Sequence, residues 1–250
     1  TPVLITGENG TGKELVAEAL HRLSRRAAAA LVRVNCAAIP DTLLESELFG
    51  HAKGAYTDAH TSHKGKFQLA HQGTLFLDEI GDLSLQAQAK ILLALEQGEV
   101  SPLGSEEVER VDVRLICATN QELQSMLTEK RFREDLYYRI NVVPIHLQPL
   151  RERPEDIVPL ADYFLQHFCR IHGSEAKELI SDAQVFLSTQ PWPGNVRELK
   201  NTMEKLVILA SDQRITARLV QNALKFQPAV DTPHARETLR EAREAFERSF

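Results

Sequence analysis

"GENGTGKE", residues Gly7 to Glu14, lies between the apolar run "PVLIT" (2–6) and the helical pattern "GKELVAEALHRLS" (12–24). A strand, a glycine-rich turn and a helix in that order are the context of a phosphate-binding loop, and the spacing G-x-x-x-x-G-K completes it. Gly7, Gly10 and Gly12 allow a tight turn, with Glu8, Asn9 and Thr11 between them. The backbone N–H groups of such a turn point inward at phosphate, and the helix N-terminus adds positive potential. Lys13 then reaches the β- and γ-phosphates of a nucleotide. The bland alternative is a glycine turn that starts a helix and binds nothing. Glu14 stands where the general motif has Ser or Thr to hold Mg²⁺, so a metal must lean on water and on another carboxylate.

"GTLFLDEI" (73–80) supplies one. It is an apolar strand ending in Asp78 and Glu79. Asp78 is expected to face Mg²⁺, partly through water, and Glu79 to orient or deprotonate an attacking water. The alternative is a strand that ends in two solvated acids. A third run, "VRLICAT" (113–119), ends at Thr119-Asn120, which could bond the γ-phosphate or the water, or cap the helix that follows. Arg133 and Arg139, in "RFREDLYYRI" (131–140), could reach a neighbouring subunit's γ-phosphate or pair locally with Glu134 and Asp135. Spacing alone favours the local pairing.

Outward from these motifs the chain alternates. Strand candidates at 2–6, 31–35, 74–78, 113–119 and 142–147 are apolar at nearly every position, as in a parallel sheet covered on both faces. Helical patterns at 12–24, 40–50, 83–98 and 131–140 separate them. The fold class expected is α/β, a three-layer parallel-sheet domain over 1–148. After "LQPLRERPEDI" (147–157) the patterns are helical alone, near 155–172, 181–189, 194–210 and 216–225, so a small α-helical domain is expected over 149–226. Residues 227–250 read as a linker and the opening helix of a further module, and the sequence reads as a piece of something longer.

The 250 residues are 43% hydrophobic and 26% charged with a net charge of −6, which fits a globular chain rather than disorder. Apolar runs are strand-sized, and no membrane span is expected. Cys36, Cys117 and Cys169 are far apart and read as buried thiols of a reduced, cytoplasmic protein. One stretch resists placement: "GHAKGAYTDAHTSHKGKF" (50–67) has neither helical nor strand period.

In their order these motifs resemble the AAA+ ATPase domain of the bacterial sigma-54-dependent transcription activators. "GENGTGKE" looks like their Walker A, Glu14 included, and "GTLFLDEIGDL" like their Walker B. "WPGNVRELKN" (192–201) is similar to their lid signature. "FREDLYYRINVVPIHLQPLRERPEDI" resembles their arginine-finger segment. The resemblance implies an ATP-hydrolysing hexameric ring using Mg²⁺, with Arg133 and Arg139 acting in trans and Arg197 sensing nucleotide in cis. It makes Asn120 the first sensor and Asn35 the residue that restrains Glu79 between turnovers. It makes 95–114 a hairpin insertion that moves with the first insertion. That first insertion is the unplaced stretch. Its hexapeptide Gly54-Ala55-Tyr56-Thr57-Asp58-Ala59 matches the family's Gly-Ala-Phe-Thr-Gly-Ala, the contact with sigma-54 RNA polymerase holoenzyme. Tyr56 keeps an aromatic plane. Asp58 replaces a glycine and adds a charge. The resemblance further implies a signal-receiving domain upstream and a helix-turn-helix domain downstream for enhancer DNA. An alternative stays open: a nucleotide-controlled DNA-binding regulator, with a degenerate contact loop, that acts by assembly or repression.

Overall fold

Apolar runs without alternation form a sheet that is buried on both faces at its centre. The computed structural model describes residues 1–55, 61–210 and 212–225. In chain order its first part holds β1 (Val3–Thr6), α1 (Lys13–Arg22), β2 (Leu31–Asn35), α2 (Asp41–Phe49), α3 (Lys66–Leu69), β3 (Thr74–Asp78) and α4 (Leu85–Gln97). There follow β4 (Glu99–Val100), β5 (Glu109–Arg110), β6 (Arg114–Thr119), α5 (Leu123–Thr128), α6 (Glu134–Ile140) and β7 (Val143–His146). Five strands make one parallel sheet in the order β2-β3-β6-β1-β7. The α/β class is therefore as the sequence implied.

Side-chain alternation splits the core into two layers. Leu4, Leu75, Leu77, Leu115 and Cys117 point to the face that packs with α2, α4, α5 and α6. Val3, Ile5, Phe76, Ile116 and Ala118 point to the face covered by Ala17 of α1. Burying each large side chain contributes about 1.5–3 kcal/mol. Coverage of both faces holds for β3 and β6 but not for the edges. β7 is largely exposed and β2 buries Val34 alone, because each has a neighbour on one side only. Helix ends follow local chemistry. Ser84 caps α4 by accepting from Ala87 N–H at 3.2 Å, and Gly98 stops it at φ 69.

A second unit runs from Pro154 to Pro191 and from Glu198 onward, whereas Trp192–Arg197 belongs with the sheet. It contains α7 (Ile157–Ile171), β8 (Glu178–Leu179), α8 (Ser181–Ser188), α9 (Asn195–Leu209, its first turn in the sheet unit), β9 (Arg214–Ile215) and α10 (Ala217–Lys225). The expectation of helices alone is corrected here, since β8 and β9 pair in parallel. Lys177, buried beside them, donates to the carbonyls of Ala210 (2.7 Å) and Asp212 (3.0 Å). Among the described residues no helix is long and apolar enough to cross a membrane. Cys36, Cys117 and Cys169 are buried and unbonded to one another.

Candidate nucleotide-binding site

β1 ends at the sheet's carboxyl edge, where ligands of open α/β sheets collect. From there Gly7, Gly10 and Gly12 carry the chain through φ 149, 80 and 105. Gly10 is irreplaceable on space as well: an added Cβ would lie 2.3 Å from Gly194 O. Thr11 Oγ1 donates to Glu8 O at 2.8 Å, and Lys13 Nζ donates to Gly7 O at 3.0 Å and to Glu8 O at 3.5 Å. Lys13 is thus curled over the loop, 7% exposed.

β3 pairs with β2 so that Asp78 lies beside Asn35, and β1 pairs with β6 so that Thr6 lies beside Thr119. The registers bring the ends of the three motif-bearing strands together. Glu79 Oε1 stands 3.5 Å from Lys13 Nζ, and Oε2 accepts from Asn120 N–H at 3.0 Å. Glu79 holds φ 53 and ψ 52, a left-handed conformation that a side chain adopts at a cost. Asn120 therefore enters through its backbone. The Asn35 side chain accepts from Ala38 N–H at 3.2 Å, where it caps the turn Cys36–Ala38, and makes no hydrogen bond to Glu79. Glu14 is largely exposed and lies 3.6 Å from Arg33.

The electrostatics suit a cation. Burial, then the charge of Glu79, push the Asp78 carboxyl up, against the pull of Lys13. Burial pushes the Cys36 thiol up to about 12, and Asp78, Asp82 and Glu79 add to that effect. Lys13 alone does not offset these carboxylates. Hard carboxylate oxygens in an excess of negative charge fit Mg²⁺.

The sequence reading missed three residues. Arg151 forks onto Glu8 at 2.8 and 2.6 Å, Asn195 Nδ2 donates to Glu8 Oε2 at 3.1 Å, and Arg153 Nη2 donates to Thr11 O at 3.2 Å. Arg151, then Asn195, hold the Glu8 carboxyl down at about 2. Arg197, expected to sense nucleotide in cis, meets the loop here through its backbone, its N–H donating to Gly10 O at 3.3 Å. A cleft of about 350 Å³ beside Gly7, Glu8 and Asn120 opens on the sheet face opposite α1.

The two finger candidates stand apart from this cluster. Arg133 is the N-cap of α6, not part of a helix over 131–140, because its ψ of 134 is extended. Its guanidinium forks onto Asp135 at 3.1 and 2.7 Å, and Arg139 Nη2 donates to Leu95 O at 3.0 Å. The base of the first insertion is pinned. His51 and His63 exchange backbone bonds of 3.0 and 2.9 Å, and Leu103 bonds Gly50 and Ala52 at 2.9 Å each. Gly54 and Ala55 are described, whereas Tyr56, Thr57, Asp58 and Ala59 lie outside the described residues.

The family described as the Sigma-54 interaction domain matches residues 1–146, and that described as the AAA+ ATPase lid domain matches 151–237. The Nif-specific regulatory protein of Azospirillum brasilense is 53% identical over 210 residues, covering 84% of this chain and 33% of that protein. The DNA-binding transcriptional regulator NtrC of Klebsiella pneumoniae is 50% identical over 232 residues, covering 92% and 49%. The chain spans between a third and about half the length of these two relatives. Crystal structures of NtrX from Brucella abortus in complex with ADP (TM-score 0.82, 38% identity) and with ATP (0.81, 37%) each cover 99% of this chain. They are covered over 56% and 55% of their own length. With two domain matches along nearly its whole length, the chain belongs to the AAA+ family of sigma-54-dependent transcription activators.

Proposed function

We propose that this chain is an ATPase motor that remodels sigma-54 RNA polymerase holoenzyme to activate transcription. The observation that carries the reading is the Glu79 carboxylate, held between Lys13 Nζ and Asn120 N–H at the end of the phosphate loop's own sheet. The loop Gly7–Gly12 and Lys13 bind the triphosphate, with Glu14 at the start of α1 and Arg197 against Gly10. Asp78 would hold Mg²⁺, with water completing its shell, and the metal would offset charge on the phosphate oxygens. Glu79 accepts the proton of a water as its oxygen attacks the γ-phosphorus. The bond to the β-phosphate oxygen breaks, and Lys13 offsets the charge left on ADP. Asn120 senses the γ-phosphate, and its state is relayed through Asn35 and Glu79 to the two loops, 54–59 and 95–114.

Arg133 and Arg139 act on the neighbouring subunit's site in a hexameric ring. Residues 54–59 grip sigma-54, and a helix-turn-helix module that opens within 227–250 binds enhancer DNA. Asp58 is the position at which the second reading, regulation by assembly or repression, parts from the first. The domain division 1–148, 149–226 and 227–250 belongs to this proposal, and 226–250 lie outside the described residues. The NtrX complexes with ADP and ATP support the choice of nucleotide. Glu79→Ala should keep ATP binding and lower turnover by about 10²–10⁴-fold. A variant that turns over at the wild-type rate would remove Glu79 from the mechanism.

A further inference from the structure

The phosphate loop is gripped from outside by residues that its motif does not contain. Asn195 is fully buried at φ 52, a conformation that costs of order 1 kcal/mol outside glycine. Its amide is engaged on both sides. Oδ1 accepts from Leu150 N–H at 2.7 Å, and Nδ2 donates to Glu8 Oε2 at 3.1 Å and to Asn9 O at 3.0 Å. Arg151 meets the same Glu8 carboxylate through two parallel bonds, the strongest geometry a guanidinium offers. Arg197 N–H takes Gly10 O, and Arg153 Nη2 takes Thr11 O. Three consecutive carbonyls, those of Asn9, Gly10 and Thr11, are thus each received by a donor outside the loop.

A trans peptide holds its C=O antiparallel to the next N–H. Fixing those carbonyls outward therefore turns the N–H groups of Gly10, Thr11 and Gly12 the other way. Thr11 N–H meets Glu8 O at 3.4 Å. The N–H groups of Gly10 and Gly12 are left facing away from the anchors, the arrangement that makes a backbone nest for an anion. An unanchored glycine loop would have to lose that freedom when phosphate arrives, at the expense of affinity.

We propose that Asn195 and Arg151 are positioning residues, a clamp on Glu8 and Asn9 that holds the phosphate loop in its anion-receiving shape. The proposal rests on the reading of Gly7–Lys13 as a nucleotide site. The test compares ADP and adenosine binding to the intact protein, with thermal melts run without nucleotide. Asn195→Gly removes the amide while accepting φ 52 without strain. It should raise the ADP dissociation constant about tenfold and leave adenosine affinity unchanged. Asn195→Asp, which sets a second carboxylate against Glu8, should be weaker for ADP than Asn195→Gly. Arg151→Lys keeps the charge and loses the fork. It should weaken ADP roughly threefold, and it carries the test if Asn195→Gly melts early. Unchanged ADP affinity in both Asn195→Gly and Arg151→Lys, or an equal loss for adenosine and ADP, overturns the clamp. A wild-type protein that binds no ADP overturns the nucleotide reading itself, a separate failure.

Discussion

Asp78 is a residue whose charge the fold resists. Its carboxyl is half-buried at the end of β3 and lies next to Glu79, and both facts raise its affinity for a proton. The sign follows from linkage. An acid with a raised folded value binds protons more readily folded than unfolded, so stability rises as pH falls from that value toward the ordinary 3.8. At neutral pH its ionisation therefore works against folding. Asp78→Asn should raise the melting temperature by about 1–3 °C at pH 7, and the gap should close as pH approaches 4. A variant that melts lower at pH 7 would contradict this. Glu8 behaves in the opposite sense. Its value of about 2 means that the support it gives is full above the ordinary 4.5 and is lost as pH falls toward 2. The clamp carboxylate thus keeps its charge to lower pH than the Asp78 carboxylate beside it in the site.

At the scale of elements, the insertion and the hairpin behind it are one assembly. Leu103 bonds the backbone on both sides of His51, and Gly104, at φ 71, lies so close to Ala55 that an added Cβ would stand 2.8 Å from the Ala55 Cβ. Gly104→Val should strain this contact by about 1–3 kcal/mol. ATP turnover should persist, while co-migration with sigma-54, in the state trapped by ADP and a metal fluoride, should fall. Retained co-migration would show that the two segments need not touch. This junction also marks what the sequence could tell. "TLFLD" and "VRLICAT" were legible because their unbroken apolar runs, Leu75–Leu77 and Leu115–Ala118, suit a strand covered on both faces. The hairpin of Glu99–Val100 with Glu109–Arg110 was legible only through the resemblance at 95–114, and the pair Glu178–Leu179 with Arg214–Ile215 was not legible, because two residues carry no period and their pairing is set by the rest of the fold. The glycine loop, Asp78 and Glu79 were legible because their chemistry is local. Asn195 and Arg151 were not, because their bonds to Glu8 close over sequence separations of 187 and 143 residues.

At the scale of the molecule, the arginines decide whether one chain is enough. Within the chain Arg133 is spent on Asp135 and Arg139 on Leu95 O, and neither guanidinium bonds to Lys13, Asp78 or Glu79. A site that neither Arg133 nor Arg139 of its own chain reaches lacks the charge that arginine fingers bring to phosphoryl transfer. In the proposed ring a head-to-tail interface would supply it, since such an interface presents one surface of each subunit to a different surface of the next. If so, Arg139→Ala and Lys13→Ala damage opposite sides of the same interface. Each alone should be nearly inactive. In an equal mixture, an interface is intact when an Arg139→Ala subunit supplies the nucleotide site and a Lys13→Ala subunit supplies the arginine. Random assembly makes that so at about one interface in four, so mixed rings should recover at most about a quarter of the wild-type rate. Substantial activity in Arg139→Ala alone, or no recovery in rings shown by labelled subunits to be mixed, would return Arg139 to a local role on α6.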